Sequence, residues 1–207
     1  MMDTAPRPAI AAEEEGRAAL YELLASLLSA PPDSPALRTL AAMTGGSAQL
    51  GHALAELAGA AAQTDARTVE REYNTLFIGL GRGEILPFAS VYRDGHLNGQ
   101  SLSRLRGDMN ALGIERAPGQ GEPEDHAATL FAIMAGLVRG QFAAGREPET
   151  QRRFFDRHII PWTAQFLTDL EAAGAGGFYG PVARLGQVFL QVEGEAFRLT
   201  ADDRGAR

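Results

Sequence analysis

The chain has 207 residues, a mass of 22.0 kDa and a formal net charge of −7 at pH 7. Hydrophobic residues make up 45% of it and charged residues 22%, which is typical of a soluble globular protein with one substantial core. The negative charge argues against nonspecific binding of nucleic acid, which requires lysine and arginine to neutralise phosphates. Because the chain has no cysteine, disulfides, thiolate catalysis and cysteine-ligated zinc are excluded.

The sequence shows no targeting or anchoring signal. Its first residues are rich in proline, alanine and glutamate and lack an apolar run behind a basic start, so no secretory signal is predicted. No run approaches the roughly 18 apolar residues of a membrane span. We therefore expect a cytoplasmic protein without membrane insertion, in which disordered termini at 1–12 and 201–207 flank a single helical domain at 13–200.

Apolar side chains recur at three- and four-residue spacing along the chain, which predicts an all-α fold. No alternation of apolar and polar residues is long enough to predict a strand. Capping residues and prolines divide the pattern into about nine helices, with a candidate hinge at 114–122. The helices are expected to begin near Glu13, Ser34, Ser47, Thr64, Leu102, Pro123, Pro148, Trp162 and Phe178.

Three boundaries carry specific expectations. The sixth helix is predicted to start at Pro123 with acids in its first turn, since proline fits the first helical position and carboxylates complement the helix dipole. Pro161 is predicted to kink or break the helical run that contains it, because proline has no backbone donor. The last helix is predicted to extend from Phe178 to about Ala196.

A glycine-punctuated loop from Gly79 to Gln100 follows the fourth predicted helix. A connection longer than about 12–15 residues is uncommon in a compact domain unless it binds a ligand or is disordered. The apolar segment Ile85–Tyr92 lies within this loop, and such a composition favours burial over disorder. We therefore predict an ordered, functional loop.

The sequence offers little support for catalysis. Its four histidines lack the spacing of a metal site, and Gly79–Gly83 lacks the lysine and the serine or threonine of a phosphate loop. A triad of Ser90, Asp125 and His126 is disfavoured, because adjacent residues on a helix point in different directions. An enzyme is therefore the less favoured class.

Two short motifs flank the loop. Tyr73-x-x-Leu76-Phe77 alone predicts the core face of a helix, and Glu122-Pro123-x-Asp125-His126 alone predicts a helix start. Together they resemble the paired motifs of the TorD/DmsD/NarJ family of chaperones dedicated to molybdenum oxidoreductases. Tyr73 stands where some relatives carry tryptophan, which implies a smaller pocket wall. The resemblance extends to Pro87-Phe88-x-Ser90-Val91-Tyr92, Pro161-Trp162 and Phe178-Tyr179. Within the family, the branch that accompanies formate dehydrogenases is the most similar over three segments, Gly81–Ser90, Leu102–Arg106 and Leu112–Arg116.

The resemblance implies an all-helical, non-catalytic chaperone without cofactor or metal. Its partner would be the catalytic subunit of a molybdoenzyme, with formate dehydrogenase as the expected client, bound through a twin-arginine leader peptide before cofactor insertion and export. The chaperone would be a monomer or a domain-swapped dimer. The implied client-binding residues are Tyr73, Leu76, Phe77, Pro87, Phe88, Ser90, Tyr92, Glu122, Pro123, Glu124, Asp125 and His126.

The chemistry of these residues suits a leader peptide. Acids at a helix start can pair with guanidinium groups bidentately, and an apolar groove can accept the apolar run that follows the two arginines. Two other interpretations stay open on the sequence alone. One is a helical protein that binds or hydrolyses a nucleotide, and the other is a non-catalytic helical adaptor whose partner contacts an exposed helix face.

Overall fold

A computed structural model of the chain describes residues 11–79, 83–116, 121–142 and 147–205. Within these ranges the chain forms helices and connecting loops without a β-strand, which confirms the predicted all-α fold. Two π-helical turns extend the α-helices, Asn74–Ile78 after α4 and Phe155–Ile159 between α8 and α9. The α-helices are α1 (Ala12–Ser29), α2 (Ser34–Ala41), α3 (Gln49–Ala62), α4 (Ala66–Tyr73), α5 (Ala89–Asp94), α6 (Gln100–Ala111), α7 (Ala127–Val138), α8 (Pro148–Phe154), α9 (Ile160–Ala173) and α10 (Tyr179–Gly205).

Helix α7 lies at the centre of the core. It has no charged residue, and ten of its twelve residues are buried. A helix that is apolar on all sides favours full burial, because no face of it gains from contact with water. Helix α1 packs along α7, while α10 packs on α9 and on α3. The core therefore forms around α7, and the residues just before this helix are held at a fixed position.

A buried ion pair joins the first helix to the last. Arg17 donates from Nε and Nη2 to the two carboxylate oxygens of Glu193, at 2.7 and 2.8 Å. The hydroxyl of Tyr21 donates to the same carboxylate at 3.1 Å. Because Glu193 is almost fully buried, these three donors supply the hydrogen bonds that its charge requires away from water.

A second carboxylate joins α4 to the start of α10. Glu72 accepts hydrogen bonds from the backbone N–H groups of Phe178 and Tyr179, at 2.8 and 2.9 Å. The first N–H groups of a helix have no partner within it, so Glu72 caps α10 from another helix. Glu72 directly precedes Tyr73, and the cap therefore fixes the first motif against the last helix.

The predicted start of the sixth helix is wrong. The corresponding helix, α7, begins at Ala127 and has His126 as its N-cap. The residues Glu122–Asp125 form a turn before it, in which the backbone N–H of His126 donates to the carbonyl of Pro123 at 3.3 Å. The acids of this motif therefore lie outside the first helical turn.

The helix that contains Pro161 is not broken. It continues from α8 to α9 through the π-helical turn Phe155–Ile159. Pro161 cannot donate to the carbonyl of Arg157, and that carbonyl accepts a hydrogen bond from Nη1 of Arg93 at 3.0 Å. Trp162 donates from Nε1 to the carbonyl of the next residue, His158, at 2.8 Å. Side-chain donors thus satisfy the carbonyls around the proline.

The predicted loop contains one helix that the periodicity did not indicate, the six-residue α5. Gly79 ends the preceding π-helical turn with a φ of 61°, which glycine adopts without strain. Gly83 lies so close to the backbone of Phe77 that a Cβ atom there would clash with it. Part of the loop, 80–82, and part of the candidate hinge, 117–120, lie outside the described residues, so the hinge stays a prediction.

Helix α10 extends to Gly205, beyond the predicted end near Ala196, whereas 1–10 and 206–207 lie outside the described residues. Among the helices described, none is long and apolar enough to cross a membrane.

Candidate functional site

The segment Pro87–Ser90 is bonded to the turn Glu122–His126, hereafter the α7 turn. The N–H of Ala89 donates to the carbonyl of Asp125 at 2.9 Å, and the N–H of Ser90 donates to its Oδ2 at 2.7 Å. In the other direction, the N–H of Ala127 donates to the carbonyl of Pro87 at 2.8 Å. Asp125 has no exposed surface, and it accepts from an N–H in the first turn of α5, which has no helical partner of its own.

The same contact leaves two polar atoms unsatisfied. Within the described residues, Ser90 Oγ and Asp125 Oδ1 are both buried without a hydrogen-bond partner. The Nδ1 atom of His126 accepts from the N–H of Ala128 at 3.1 Å, so this histidine caps α7 and does not activate Ser90. The arrangement therefore lacks the serine–histidine–aspartate relay of a hydrolase.

His126 is a buried cap with an aromatic neighbour. Its ring packs edge-to-face on Phe88, with centroids 4.9 Å apart. Burial lowers the pKa of His126 below its ordinary value, although the charge of Glu122 opposes this shift. The neutral imidazole is the form that can accept through Nδ1, so the cap and the lowered pKa support each other.

Glu124 already has its cationic partners within the chain. Its Oε2 accepts from Nε and Nη2 of Arg106 at 3.0 and 2.8 Å, and Nε of Arg116 lies 3.8 Å from its Oε1. Burial disfavours the ionised carboxyl, but the hydrogen bonds and charges of the two arginines outweigh it and hold the pKa of Glu124 below its ordinary value. This carboxylate is therefore neutralised internally.

The first motif contributes to the core and anchors the loop. Leu76 and Phe77 are buried, and the carbonyl of Leu76 accepts from the N–H of Ile85 at 2.8 Å. Tyr73 is half-buried, with its ring 4.9 Å from that of Phe77 and its hydroxyl donating to the carbonyl of Ser29 at 3.0 Å. Its pKa is raised, mainly by burial and secondarily by the charge of Glu122 in the α7 turn. The two motifs are therefore joined through the loop segment, which bonds to Leu76 at Ile85 and to the α7 turn at Ala89.

Tyr92 faces a different neighbour. Its ring packs on Trp162 and Phe166 of α9, with centroids 5.6 and 6.0 Å apart, and its hydroxyl donates to Asp169 at 3.1 Å. Burial and the nearby Asp169 carboxylate raise the pKa of Tyr92. Tyr92 thus belongs to the contact between α5 and α9, and not to the cluster formed by the α7 turn.

The predicted site residues are mostly inaccessible to a partner. Pro123, like Tyr73 and Tyr92, is half-buried, and Glu122 alone of the twelve is exposed. The interpretation of Asp125 as an exposed acid in a first helical turn is wrong, because its carboxylate faces α5. The buried members are Leu76, Phe77, Pro87, Phe88, Ser90, Glu124, Asp125 and His126.

An open, mainly apolar cleft of about 490 Å³ lies on the other side of the loop segment. Ile78 is 56% exposed on one wall and Leu97 is 42% exposed on another. Large apolar side chains held in contact with water at a concave surface are typical of interaction sites. The lining residues of this apolar cleft are Phe77, Ile78, Gly83, Leu86, Val91, Gly95, His96 and Leu97.

Sequence reasoning selected Phe77 but missed Ile78 and Leu97 as candidate site residues. Ile78 directly precedes the predicted loop at Gly79, and Leu97 lies within it between Gly95 and Gly99, where an apolar residue has no helical stripe to join. A large apolar residue beside or between glycines, outside any helical stripe, was the sequence feature that could have indicated these two residues. Among the described residues, no group of three histidine, aspartate or glutamate side chains could hold a metal ion.

Comparison with known proteins places this geometry in a family. The family model described as nitrate reductase delta subunit matches residues 44–168, more than half of the chain. The chain belongs to this family. The match spans both the apolar cleft and the α7 turn, and it confirms the resemblance to the TorD/DmsD/NarJ group.

Individual relatives agree with this placement. Chaperone protein TorD of Vibrio cholerae is 31% identical over 127 residues, which is 58% of each chain. Tat proofreading chaperone DmsD of Salmonella paratyphi A is 30% identical over 125 residues, 59% of each chain. The chain thus spans less than two thirds of the length of these relatives.

A solved structure shares the fold. It comes from Archaeoglobus fulgidus and is provisionally described as a redox enzyme maturation protein. The match covers 92% of this chain and 99% of the other, with a TM-score of 0.57 and 18% sequence identity. At that identity the match bears on the fold alone.

Proposed function

We propose that this protein is a cytoplasmic, non-catalytic chaperone for one molybdenum oxidoreductase, which it binds before cofactor insertion and export. Membership of the nitrate reductase delta subunit family and similarity to the chaperones TorD and DmsD support the proposal. The observation that carries it is the apolar cleft, an open concave surface that is lined by Phe77 of the first motif and by Leu86 and Val91 of the loop segment. A client segment is the natural occupant of such a surface.

The bound segment would be the twin-arginine leader of the client. The apolar run of a leader, folded as a short helix, can place its side chains against Ile78, Leu86 and Leu97. Each side chain buried in this way contributes about 1.5–3 kcal/mol. Ordering of the peptide and loss of its free motion offset much of that gain, so we expect modest affinity.

Glu122 is the carboxylate best placed for the arginines of the leader. It is exposed, and its charge acts on both Tyr73 and His126. Asp125 is fully buried, and Glu124 is already paired with Arg106. A guanidinium group can therefore reach Glu122 without disturbing the α7 turn, and the acidic charge of the whole chain favours its approach.

The proposed client is a formate dehydrogenase. This proposal rests on the segments Gly81–Ser90, Leu102–Arg106 and Leu112–Arg116, which resemble the branch of the family that accompanies that enzyme. Co-purification of the protein with formate dehydrogenase, and not with nitrate reductase, would support it. Exchange of subdomains between two copies at the candidate hinge is a further proposal, which light scattering after size-exclusion chromatography would test by detecting a dimer.

Calorimetric titration with the leader peptide tests the proposed function. In one variant, Ile78→Asp places a charge in the apolar cleft; in the matched control, Leu199→Asp makes the same change at a residue that is 68% exposed on α10. Both variants should unfold at the wild-type temperature, because neither residue is buried. We expect Ile78→Asp to weaken leader binding about tenfold or more and Leu199→Asp to leave it unchanged.

Equal leader affinity of both variants would show that the leader does not bind in the apolar cleft. If the client also bound equally well without its leader, the protein would be an adaptor that contacts the client through another helix face.

A further inference from the structure

Two clefts with arginine side chains lie on the face formed by α5, α6 and the continuous helix α8–α9. One has a volume of about 390 Å³ and is lined by Arg93, Arg104, Asp156, Arg157, His158 and Pro161. The other has a volume of about 310 Å³, and its lining includes Leu112, Thr150, Arg153 and Phe154. Arg157 lines both clefts, so they are neighbours on one surface.

The π-helical turn before Pro161 fixes the arginines of this surface. Arg93 donates to the carbonyl of Arg157, the one that Pro161 cannot engage. Arg157 donates from Nη1 to Oδ1 of Asp108 at 3.1 Å, and His158 Nε2 lies 2.6 Å from Oδ2 of the same carboxylate. The guanidinium groups of Arg93 and Arg157 are therefore held at the cleft by tertiary contacts, which lowers the entropy lost when a ligand binds.

Positive charge exceeds negative charge at this surface. Among the described residues, Arg93, Arg104 and Arg153 form no ion pair, and Arg104 donates only to the neutral side chain of Gln100, at 3.1 Å. Of the two carboxylates that line the clefts, Asp108 is bound to Arg157 and His158, and Asp156 lies 3.4 Å from Arg152. Three guanidinium groups thus stay available to an anion, on a chain whose net charge is −7.

The pKa of His158 reflects this local charge. Burial lowers it most, the hydrogen bond and charge of Asp108 raise it, and the charges of Arg157 and Arg93 lower it further. The two arginines therefore act electrostatically at the cleft wall despite their exposure to water.

We propose that the two clefts form one binding site for a small phosphorylated molecule. Its phosphate or diphosphate group would lie between Arg93 and Arg104 of the first cleft, with Arg153 lining the second, because the planar guanidinium fork matches phosphate oxygens. Its less polar part would lie against Leu112 and Phe154, with Thr150 and Asp108 offering directional hydrogen bonds. The combined space is in the range of small-molecule sites, about 300–1,000 Å³. This site shares no residue with the apolar cleft.

Titration with inorganic pyrophosphate and with adenosine and guanosine diphosphate tests the proposal. Arg104→Gln is the main variant, since Arg104 is exposed and its loss leaves the fold intact; Arg38→Gln on α2, which lines neither cleft, is the matched control. We expect Arg104→Gln to weaken the binding of all three ligands about tenfold, which is the loss of one charge-assisted contact. Arg38→Gln should bind as the wild type does.

Comparison of pyrophosphate with the two nucleoside diphosphates distinguishes the roles of the two clefts. We expect at least one nucleoside diphosphate to bind more tightly than pyrophosphate, and Thr150→Ala to reduce that difference. Absence of binding by all three probes, equal weakening by both arginine variants, or equal affinity for pyrophosphate and both nucleotides would overturn the two-cleft site. None of these outcomes affects the leader titration, which depends on Ile78.

Discussion

The α7 turn and the apolar cleft are built on the two sides of one short segment, Leu86–Val91. Phe88 and Ser90 face the α7 turn, where buried hydrogen bonds and internal ion pairs leave little for a partner. Leu86 and Val91 line the cleft, where Ile78 remains largely exposed. The α7 turn together with Phe88 and Ser90 is hereafter called the frame. The difference shows that the residues easiest to recognise in the sequence form this frame, while less distinctive apolar residues form the exposed surface beside it.

The largest expected effect is on the frame. Asp125→Ala removes the side-chain acceptor of the Ser90 N–H, and a buried donor left unsatisfied costs about 1–3 kcal/mol. We expect the free energy of unfolding in urea to fall by about 3 kcal/mol. Glu122→Ala, three residues away and exposed, should leave it unchanged. If both variants unfolded at the same urea concentration, the α7 turn would not stabilise the fold as we describe.

A substitution in the apolar cleft should weaken leader binding and leave the stability of the protein almost unchanged. Leu97→Ala removes apolar surface that is 42% exposed, so the free energy of unfolding should change by less than about 0.5 kcal/mol. Binding of the leader should weaken by about 1–2 kcal/mol, since the exposed part of the Leu97 side chain is buried only in the complex. A parallel loss of stability and affinity would show that Leu97 is part of the frame.

Glu122 is the exposed acid of the α7 turn, and the effect of replacing it should be smaller. Glu122→Gln removes the charge that we assign to the arginines of the leader, and an exposed ion pair contributes little, so affinity should fall no more than about fivefold. The dependence of affinity on salt should flatten as well, because one screened interaction is lost. A variant with unchanged affinity and unchanged salt dependence would assign the arginines to another carboxylate.

The smallest expected effect is on the pH dependence of the frame. The pKa of His126 is lowered in the folded state, so the unfolded chain takes up a proton first as pH falls. Its contribution to stability is therefore complete above about pH 6.5 and is lost as pH falls from there towards the folded pKa. His126→Asn, which can still cap a helix, should make the urea concentration at the midpoint of unfolding depend less on pH between about pH 7 and 5. The exposed His52→Asn is the control, and equal slopes in both variants would contradict this account.

The sequence predicted the helices of this fold far better than their ends. The stripe of leucines on α1 and the uncharged run of α7 each specify a buried helix through local spacing alone. The start of α7 was missed because histidine is an uncommon cap and Pro123 offered a more usual start. The six residues of α5 are too few for a periodic pattern to indicate a helix.

The missed features of the site share one physical cause. The burial of Asp125 depends on Ser90, 35 residues away, and the passage of the helix through Pro161 depends on Arg93. No local pattern contains such pairs, so Asp125 was taken for an acid of a first helical turn and Pro161 for a kink or a break, of which the break is wrong. The paired motifs identified two segments that both bond to the loop between them, at Ile85 and at Pro87 and Ala89, and their role in client binding stays a prediction.

The ion pair between Arg17 and Glu193 has a consequence for the order of synthesis. Its partners are separated by 176 residues, and Glu72 caps a helix whose first N–H groups lie 106 and 107 residues further along the chain. During translation, α1 and α4 therefore leave the ribosome long before the groups that complete them. Native closure must wait until residue 193 has emerged, and contacts of such long range slow folding. The nascent protein therefore passes through a stage in which its first helices lack the partners that join them to the last helix.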